Sequence, residues 1–238
     1  MFPDPVETCS ILDKQMSVLQ LTDLGRADYG TTLALQKRLL ERTKSAKEDL
    51  AHLLLVEHDP PVITLGRRGK KTDLLVSRRG LRKMGLEVHE SSRGGEVTYH
   101  GPGQLVGYPI IQLARRGGDV REYVRNLEGM LIRVLGEYGL QGGRKEKLTG
   151  VWVGNEKVAA IGVAVRRWVT YHGFALNVCT NLSHFDLIVP CGIRDKRMTS
   201  MSKLLARNVT VEEVKPKLVE IFCKIFEFDS IEEHSPEA

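Results

Sequence analysis

The chain has few of the residues that build metal sites, disulfide scaffolds or nucleic-acid platforms. Only 4 of its 238 residues are cysteine. Cys9, Cys179, Cys191 and Cys223 form no C-x-x-C pair, which argues against zinc and thioredoxin-type sites; no metal and no cofactor is expected. Aromatic residues make up 6%, with no RNA-binding signature and no zinc-finger spacing. The net charge of +5 is scattered, as in Arg67-Arg68, Lys70-Lys71, Arg78-Arg79, Arg115-Arg116 and Arg144-Lys145. Solvated surface is the simplest reading of such pairs, and a nucleic-acid partner is not expected. No apolar run reaches the ~18 residues that span a bilayer, so no membrane partner is expected either. Met1–Glu7 has no basic stretch before an apolar one and carries acids early. A cytoplasmic protein with reduced thiols is the expectation. Gly66-Arg67-Arg68-Gly69-Lys70 misses the spacing of a phosphate loop, as does the Gly-rich stretch after Arg93.

What is present is enough apolar residue, 42%, for a real core. Residues 1–15 read as a loose tail and 16–238 as one α+β domain, with a mixed or largely antiparallel sheet and flanking helices. Strands are expected at Ser17–Leu21, Leu53–Val56, Val62–Leu65, Leu86–Glu90 and Leu105–Gln112. Tyr29–Lys44 reads as a helix. Asp119–Tyr138 reads as another, because Tyr123, Val124, Leu127, Leu131, Val134 and Leu135 recur at helical spacing. Val151–Val153, Val158–Val165 and Val169–Val178 read as a β-meander, with Gly154-Asn155 as a hairpin turn. Thr210–Phe226 reads as a C-terminal helix with Thr210 and Glu213 as a capping box. Pro216 interrupts it, so a start near Pro216 is the alternative.

The most informative stretch is Arg93-Gly94-Gly95-Glu96-Val97-Thr98-Tyr99-His100-Gly101-Pro102-Gly103-Gln104. Glycines at this density let backbone approach a ligand closely, and the stretch reads as a shaped loop between two strands. Continued to Ile110, and with Glu57–Arg67, Leu148–Trp152, Lys157–Gly162, Tyr171–Val178 and Ile188–Met201, it resembles the octanoyltransferases of lipoate biosynthesis in order and spacing. The resemblance runs from about Leu50 to Leu204. It implies the fold shared with lipoate- and biotin-protein ligase catalytic domains. It also implies transfer of an octanoyl group from acyl carrier protein to lipoyl domains of 2-oxoacid dehydrogenase E2 subunits and to the glycine-cleavage H protein. The family's acyl-carrying cysteine falls at Cys191 and its lysine at Lys157. Its acyl site falls on Arg93, Gly94, Gly95, Glu96, Val97, Thr98, Tyr99 and His100, on Ala160, Ile161 and Gly162, and on Gly173, Phe174 and Ala175. One departure is Asp59, which stands where the family joins His directly to Pro.

The chemistry is consistent with those residues. A thioester is already activated, so transfer to an amine needs a nucleophile that can hold the acyl group in between. A thiol of pKa ~8.5 is only about 3% thiolate at pH 7, and a nearby ammonium such as Lys157 raises that fraction. Gly192 leaves room beside the Cys191 sulfur, and backbone N–H groups there offer an oxyanion hole. Val97, Tyr99, Ile161 and Phe174 are suitable apolar lining for an alkyl tail. His100 and His172 each read either as an orienting group or as a satisfied buried polar group, and His58 as structural. An ATP-dependent lipoate- or biotin-protein ligase is the alternative activity. Such ligases need no nucleophilic cysteine, so Pro190-Cys191-Gly192 discriminates against them.

Overall fold

The protein is described here by a computed structural model covering residues 16–189 and 197–235. The tail expected over residues 1–15, Cys9, and the segment Pro190–Lys196 with Cys191 lie outside the described residues.

The chain opens with strand β1 (Val18–Ala27) and helix α1 (Tyr29–Ser45), followed by β2 (Leu50–His58). β1 and β2 are parallel neighbours, which requires the crossover that α1 supplies. Asp28 caps α1 by accepting from the Thr31 N–H at 2.8 Å. Buried positions 29, 32, 36, 39, 40 and 43 then follow at intervals of one, three and four, the single face of an amphipathic helix.

Next come β3 (Val62–Leu65), α2 (Arg78–Lys83), β4 (Glu87–Glu90), β5 (Val97–His100) and β6 (Gln104–Ile110). β3, β4 and β5 form a small separate sheet in the order β4-β3-β5. Val97–His100 was expected as part of a loop. It is a strand, paired antiparallel to β3 with Val62 opposite His100, and only its flanks, Arg93–Glu96 and Gly101–Gly103, stay irregular.

Helix α3 (Val120–Glu137) leads to β7 (Gly143–Lys145), β8 (Leu148–Val153), β9 (Glu156–Arg166) and β10 (Val169–Asn177). β8, β9 and β10 are consecutive antiparallel neighbours, as the meander reading expected. The chain closes with α4 (Met201–Leu205), α5 (Val211–Phe226) and β11 (Ser230–Glu233). α5 runs through Pro216, so the alternative start near Pro216 does not hold. Thr210 caps the helix at Glu213 N–H, 3.2 Å. Val211, Val214 and Leu218 are buried in the core. Burying that stripe outweighs the one backbone bond the proline removes.

The large sheet has the order β11-β1-β2-β6-β10-β9-β8-β7. α3 and α5 pack against one face through Leu127, Leu131, Leu135, Leu218 and Phe222. α1 covers the other face through Leu39 and Leu40 against Leu54, Val106 and Tyr108. The small sheet has its own core of Ile63, Leu65, Leu81, Val97, Tyr99 and Phe185. Among the described residues, no helix is long and apolar enough to cross a membrane.

Candidate active site

β8 and β9 pair only from Val151–Ala159 to Val153–Glu156. Beyond Ala159, the β9 edge is left to another partner. The Gly-rich loop supplies it: Gly94 N–H donates to the Val163 carbonyl at 2.9 Å. A Cβ on Gly162 would stand 3.1 Å from Arg93 Cδ and from the Gly94 carbonyl, which is why a glycine sits there. The loop and β9 thus form two walls of a cavity of about 520 Å³.

Arg93 fastens the loop from inside. It is buried, and its guanidinium donates to Thr64 Oγ1 at 3.1 and 2.9 Å, to the Thr64 carbonyl at 2.6 Å, and to the carbonyls of Gly94 and Glu96 at 3.0 Å each. Its partners answer a question the sequence left open. Arg93 is a tie between β3 and the loop, and its charge faces the cavity's histidines.

The cavity is lined by Arg93, Gly94, Gly95, Glu96, Val97, Thr98 and His100, by Ala160, Ile161 and Gly162, by Gly173, Phe174 and Ala175, and by Lys157. All these were singled out in the sequence. Tyr99 was too, but it does not line the cavity. It lies on the face of β5 opposite Thr98 and His100, and its ring packs edge-on against His184 and Phe185 at 4.9 and 5.4 Å. Tyr29, Val106, Tyr108, Thr149, Trp152 and Val163 also line the cavity. Of these, Thr149 and Trp152 belong to the Leu148–Trp152 motif and carried a signal in the sequence. Val106 and Tyr108 belong to the motif that begins at Arg93 and runs to Ile110, whereas Tyr29 carried no signal, because it lies on a helix outside every motif.

One end of the cavity gathers buried imidazoles beside the Arg93 guanidinium: His100 and His172 line it, and His58 stands behind His100 with ring centres 5.8 Å apart. His58 Nε2 bonds the Tyr108 hydroxyl at 2.6 Å, and His58 Nδ1 faces the Ala27 carbonyl at 3.2 Å. His100 Nδ1 bonds Gln104 Oε1 at 2.8 Å. Gln104 donates onward to Asn177 Oδ1 at 2.8 Å. His172 Nε2 bonds Ser92 Oγ at 3.1 Å. Burial disfavours the charged form of all three imidazoles. It pulls His58 down to about 4 and, with the Arg93 charge added, His172 to about 3. His100 is held well below the ordinary value by burial, by its neighbour His58 and by Arg93. These are neutral rings at pH 7, each able to donate one hydrogen bond from one nitrogen and accept one at the other. Burial likewise raises the Tyr108 hydroxyl well above its usual value.

The other end carries charge. Lys157 opens β9, and its ammonium donates to the Thr149 carbonyl at 2.8 Å and lies 5.4 Å from the centre of the Trp152 ring. It is therefore not a solvated residue beside the Gly154-Asn155 turn. Its backbone N–H donates to the Arg197 carbonyl, and its carbonyl accepts from Thr199 N–H, both at 2.9 Å. Arg197 is the first described residue after the segment that contains Cys191. On the other side of that segment, Val189 N–H donates to the Asp73 carbonyl at 2.8 Å. Of the other cysteines, Cys179 is exposed and Cys223 part-buried. Partial burial raises both thiols, Cys179 with help from Glu57. Among the described residues, no group of three or more His, Cys, Asp or Glu is arranged to hold a metal ion.

Residues 28–223 match the family described as the lipoyl protein ligase A/B catalytic domain. The chain is 49% identical to an octanoyltransferase of Caldicellulosiruptor saccharolyticus, over 87% of this chain and 88% of that one. It is 51% identical to an octanoyltransferase of Solibacter usitatus, over 89% and 94%. Among solved structures, a lipoate-protein ligase A bound with ATP superposes with a TM-score of 0.73 at 18% identity, covering 93% of this chain and 90% of that one. A bipartite lipoate protein ligase of Thermoplasma acidophilum gives 0.72 at 18% identity, covering 94% and 88%. The last two likenesses show the fold. The chain belongs to the lipoyl protein ligase A/B catalytic domain family. Within that family its relatives are octanoyltransferases, and it is an acyltransferase.

Proposed function

We propose that the chain, as one catalytic unit over residues 16–238 in the cytoplasm, moves an octanoyl group from acyl carrier protein onto the target lysine of lipoyl domains. The acceptors are those of 2-oxoacid dehydrogenase E2 subunits and the glycine-cleavage H protein. The observation that carries this reading is the match to octanoyltransferases along nearly the whole chain.

In this scheme, the Cys191 thiolate attacks the octanoyl carbonyl, a new carbon–sulfur bond forms as the donor's carbon–sulfur bond breaks, and the carrier leaves as a thiol, taking the proton that Cys191 gave up. The acceptor's neutral amine then attacks the enzyme thioester. A carbon–nitrogen bond forms, the Cys191–acyl bond breaks, and the amine's proton passes to the departing sulfur. Lys157 stabilises the thiolate before the first attack and after the second. Arg93–His100, Ala160–Gly162 and Gly173–Ala175 bind the acyl group, Tyr99 from behind as a support of β5. Its alkyl tail lies along β9, where the five-residue advance from Lys157 to Gly162 covers about 16 Å. Burial of each CH₂ contributes roughly 0.8 kcal/mol.

The ligase alternative shares the fold, so the fold does not decide between them. Purified protein, octanoyl–acyl carrier protein and an unmodified lipoyl domain should yield octanoylated acceptor without ATP, read by mass. Product formed only from free octanoate and ATP would replace this reading with the ligase one.

A further inference from the structure

Glu128 is a carboxylate on the core side of α3 that the chemistry above does not use. It is 7% exposed, beside the fully buried Leu127, Met130 and Leu131. A charge in such a place is costly unless its oxygens are hydrogen-bonded. Arg144 Nε donates to Oε2 at 2.9 Å, and the Gly150 N–H donates to Oε1 at 3.0 Å. Arg144 is itself anchored on the Arg125 carbonyl at 2.9 Å.

The Gly150 N–H belongs to the same peptide group as the Thr149 carbonyl, and that carbonyl accepts the Lys157 ammonium. A single peptide therefore has a carboxylate at its N–H end and an ammonium at its oxygen end. Both charges lie at the favourable ends of the peptide dipole. A carboxylate on the N–H polarises the group and makes its oxygen the stronger acceptor. Gly150 completes the seat. Its φ of +122° suits glycine alone, and a Cβ there would stand 2.5 Å from Lys157 Cε and 3.0 Å from Nζ.

We infer that Glu128 is a positioning residue: through the Thr149–Gly150 peptide it fixes the Lys157 ammonium at the mouth of the cavity, without touching substrate. Its kinetic consequence rests on the proposed role of Lys157. Arg144 holds the carboxylate in place, so the residue that read as basic surface in the sequence belongs to this chain of contacts.

The test is a double-mutant cycle with Glu128→Gln, Lys157→Met and the pair. Glutamine keeps the size and one acceptor, but its amide cannot keep both the Gly150 and the Arg144 bonds with full charge. Glu128→Gln should lower kcat roughly tenfold with little change in KM for the acyl donor, and should add nothing in the Lys157→Met background. It should also slow thiol alkylation at neutral pH, with recovery at higher pH. An equal loss in both backgrounds, with an unchanged alkylation profile, overturns the inference. Should Glu128→Gln fold poorly by thermal melt, Gly150→Ala disturbs the same seat and must show the same coupling. If Lys157→Met itself keeps the native kcat, it is the catalytic reading of Lys157 that fails. A crystal structure of Glu128→Gln then decides the positioning: Lys157 displaced from the Thr149 carbonyl sustains it, and the contact retained overturns it.

Discussion

The two ends of the cavity are built on opposite electrostatic rules. At the Lys157 end, an ammonium donates to a carbonyl oxygen and lies against an aromatic face. At the far end, burial disfavours the charged form of His58, His100 and His172, and the Arg93 charge adds to it at His100 and His172. The difference lies in the neighbours, since both ends are polar by composition. A carbonyl and a π-face favour a cation. Burial opposes one, and the Arg93 guanidinium adds to that at His100 and His172.

The charged end should be the more sensitive. Lys157→Met is expected to lower kcat by roughly 10²-fold or more, the range of a lost acid–base or charge-stabilising group. Alkylation of the reactive thiol should slow at neutral pH and recover as pH rises. An unchanged pH–rate profile would reduce Lys157 to a binding residue and erase the contrast between the ends.

The seam between the ends comes next. Gly162→Val places a side chain where even a Cβ is 3.1 Å from the loop. It should cut kcat/KM for the octanoyl donor by about tenfold, the price of roughly 1.4 kcal/mol, and should cut it less for a butyryl donor. An equal loss for both chain lengths would mean that the tail does not pass Gly162.

The neutral end should show itself in stability. An unfolded histidine titrates near ~6.5, whereas folded His58 and His172 titrate at about 4 and about 3. Between those values the unfolded chain binds protons that the folded chain refuses, so stability is full above about pH 6.5 and declines as pH falls. His52, buried on β2 and pulled to about 4, acts in the same window. The melting temperature should therefore drop by several degrees between pH 7 and pH 4. His172→Asn should make that drop shallower, with Asn chosen because position 172 has φ +57°. An identical slope in the variant would show that His172 is not held neutral by the fold.

The smallest effect concerns the surface. The acyl carrier protein and lipoyl domains expected as partners are acidic, and the net charge of +5 should speed their encounter at low salt. Raising ionic strength shortens the Debye length from ~10 Å at 0.1 M to ~3 Å at 1 M. kcat/KM for the carrier-bound donor should fall over that range, and a small octanoyl thioester should respond less. Arg67, Arg68, Lys70, Lys71 and Lys145 remain candidate contacts, whereas Arg144 is committed to Glu128. Equal salt responses would leave the basic pairs as solvated surface.

Much of this was legible in the sequence because it is local. Asp119 and Thr210 cap α3 and α5 where capping rules put them, and Gly154-Asn155 turns the β8–β9 hairpin. The strand at Val97–His100 was missed because the glycines and proline around it mask a four-residue β signal, which only its pairing with β3 makes plain. Tyr99 was misplaced for the same reason: without a strand there is no alternation to set its ring opposite Thr98 and His100, where it packs on His184 and Phe185. Glu128 was invisible, since a lone acid within an apolar helical stripe looks solvent-facing until Gly150 and Arg144 arrive from β7 and β8. Tyr29 and Tyr108 meet His58 only through the crossover that brings α1 over β2 and β6.

The central claim is that one cysteine carries the acyl group between donor and acceptor. Intact-protein mass spectrometry after incubation with octanoyl–acyl carrier protein, without acceptor, tests it most directly. The account predicts one octanoyl addition on the native protein and on Cys9→Ala, Cys179→Ala and Cys223→Ala, and none on Cys191→Ala. An octanoyl adduct that persists on Cys191→Ala, or turnover by that variant at the native rate, would contradict it.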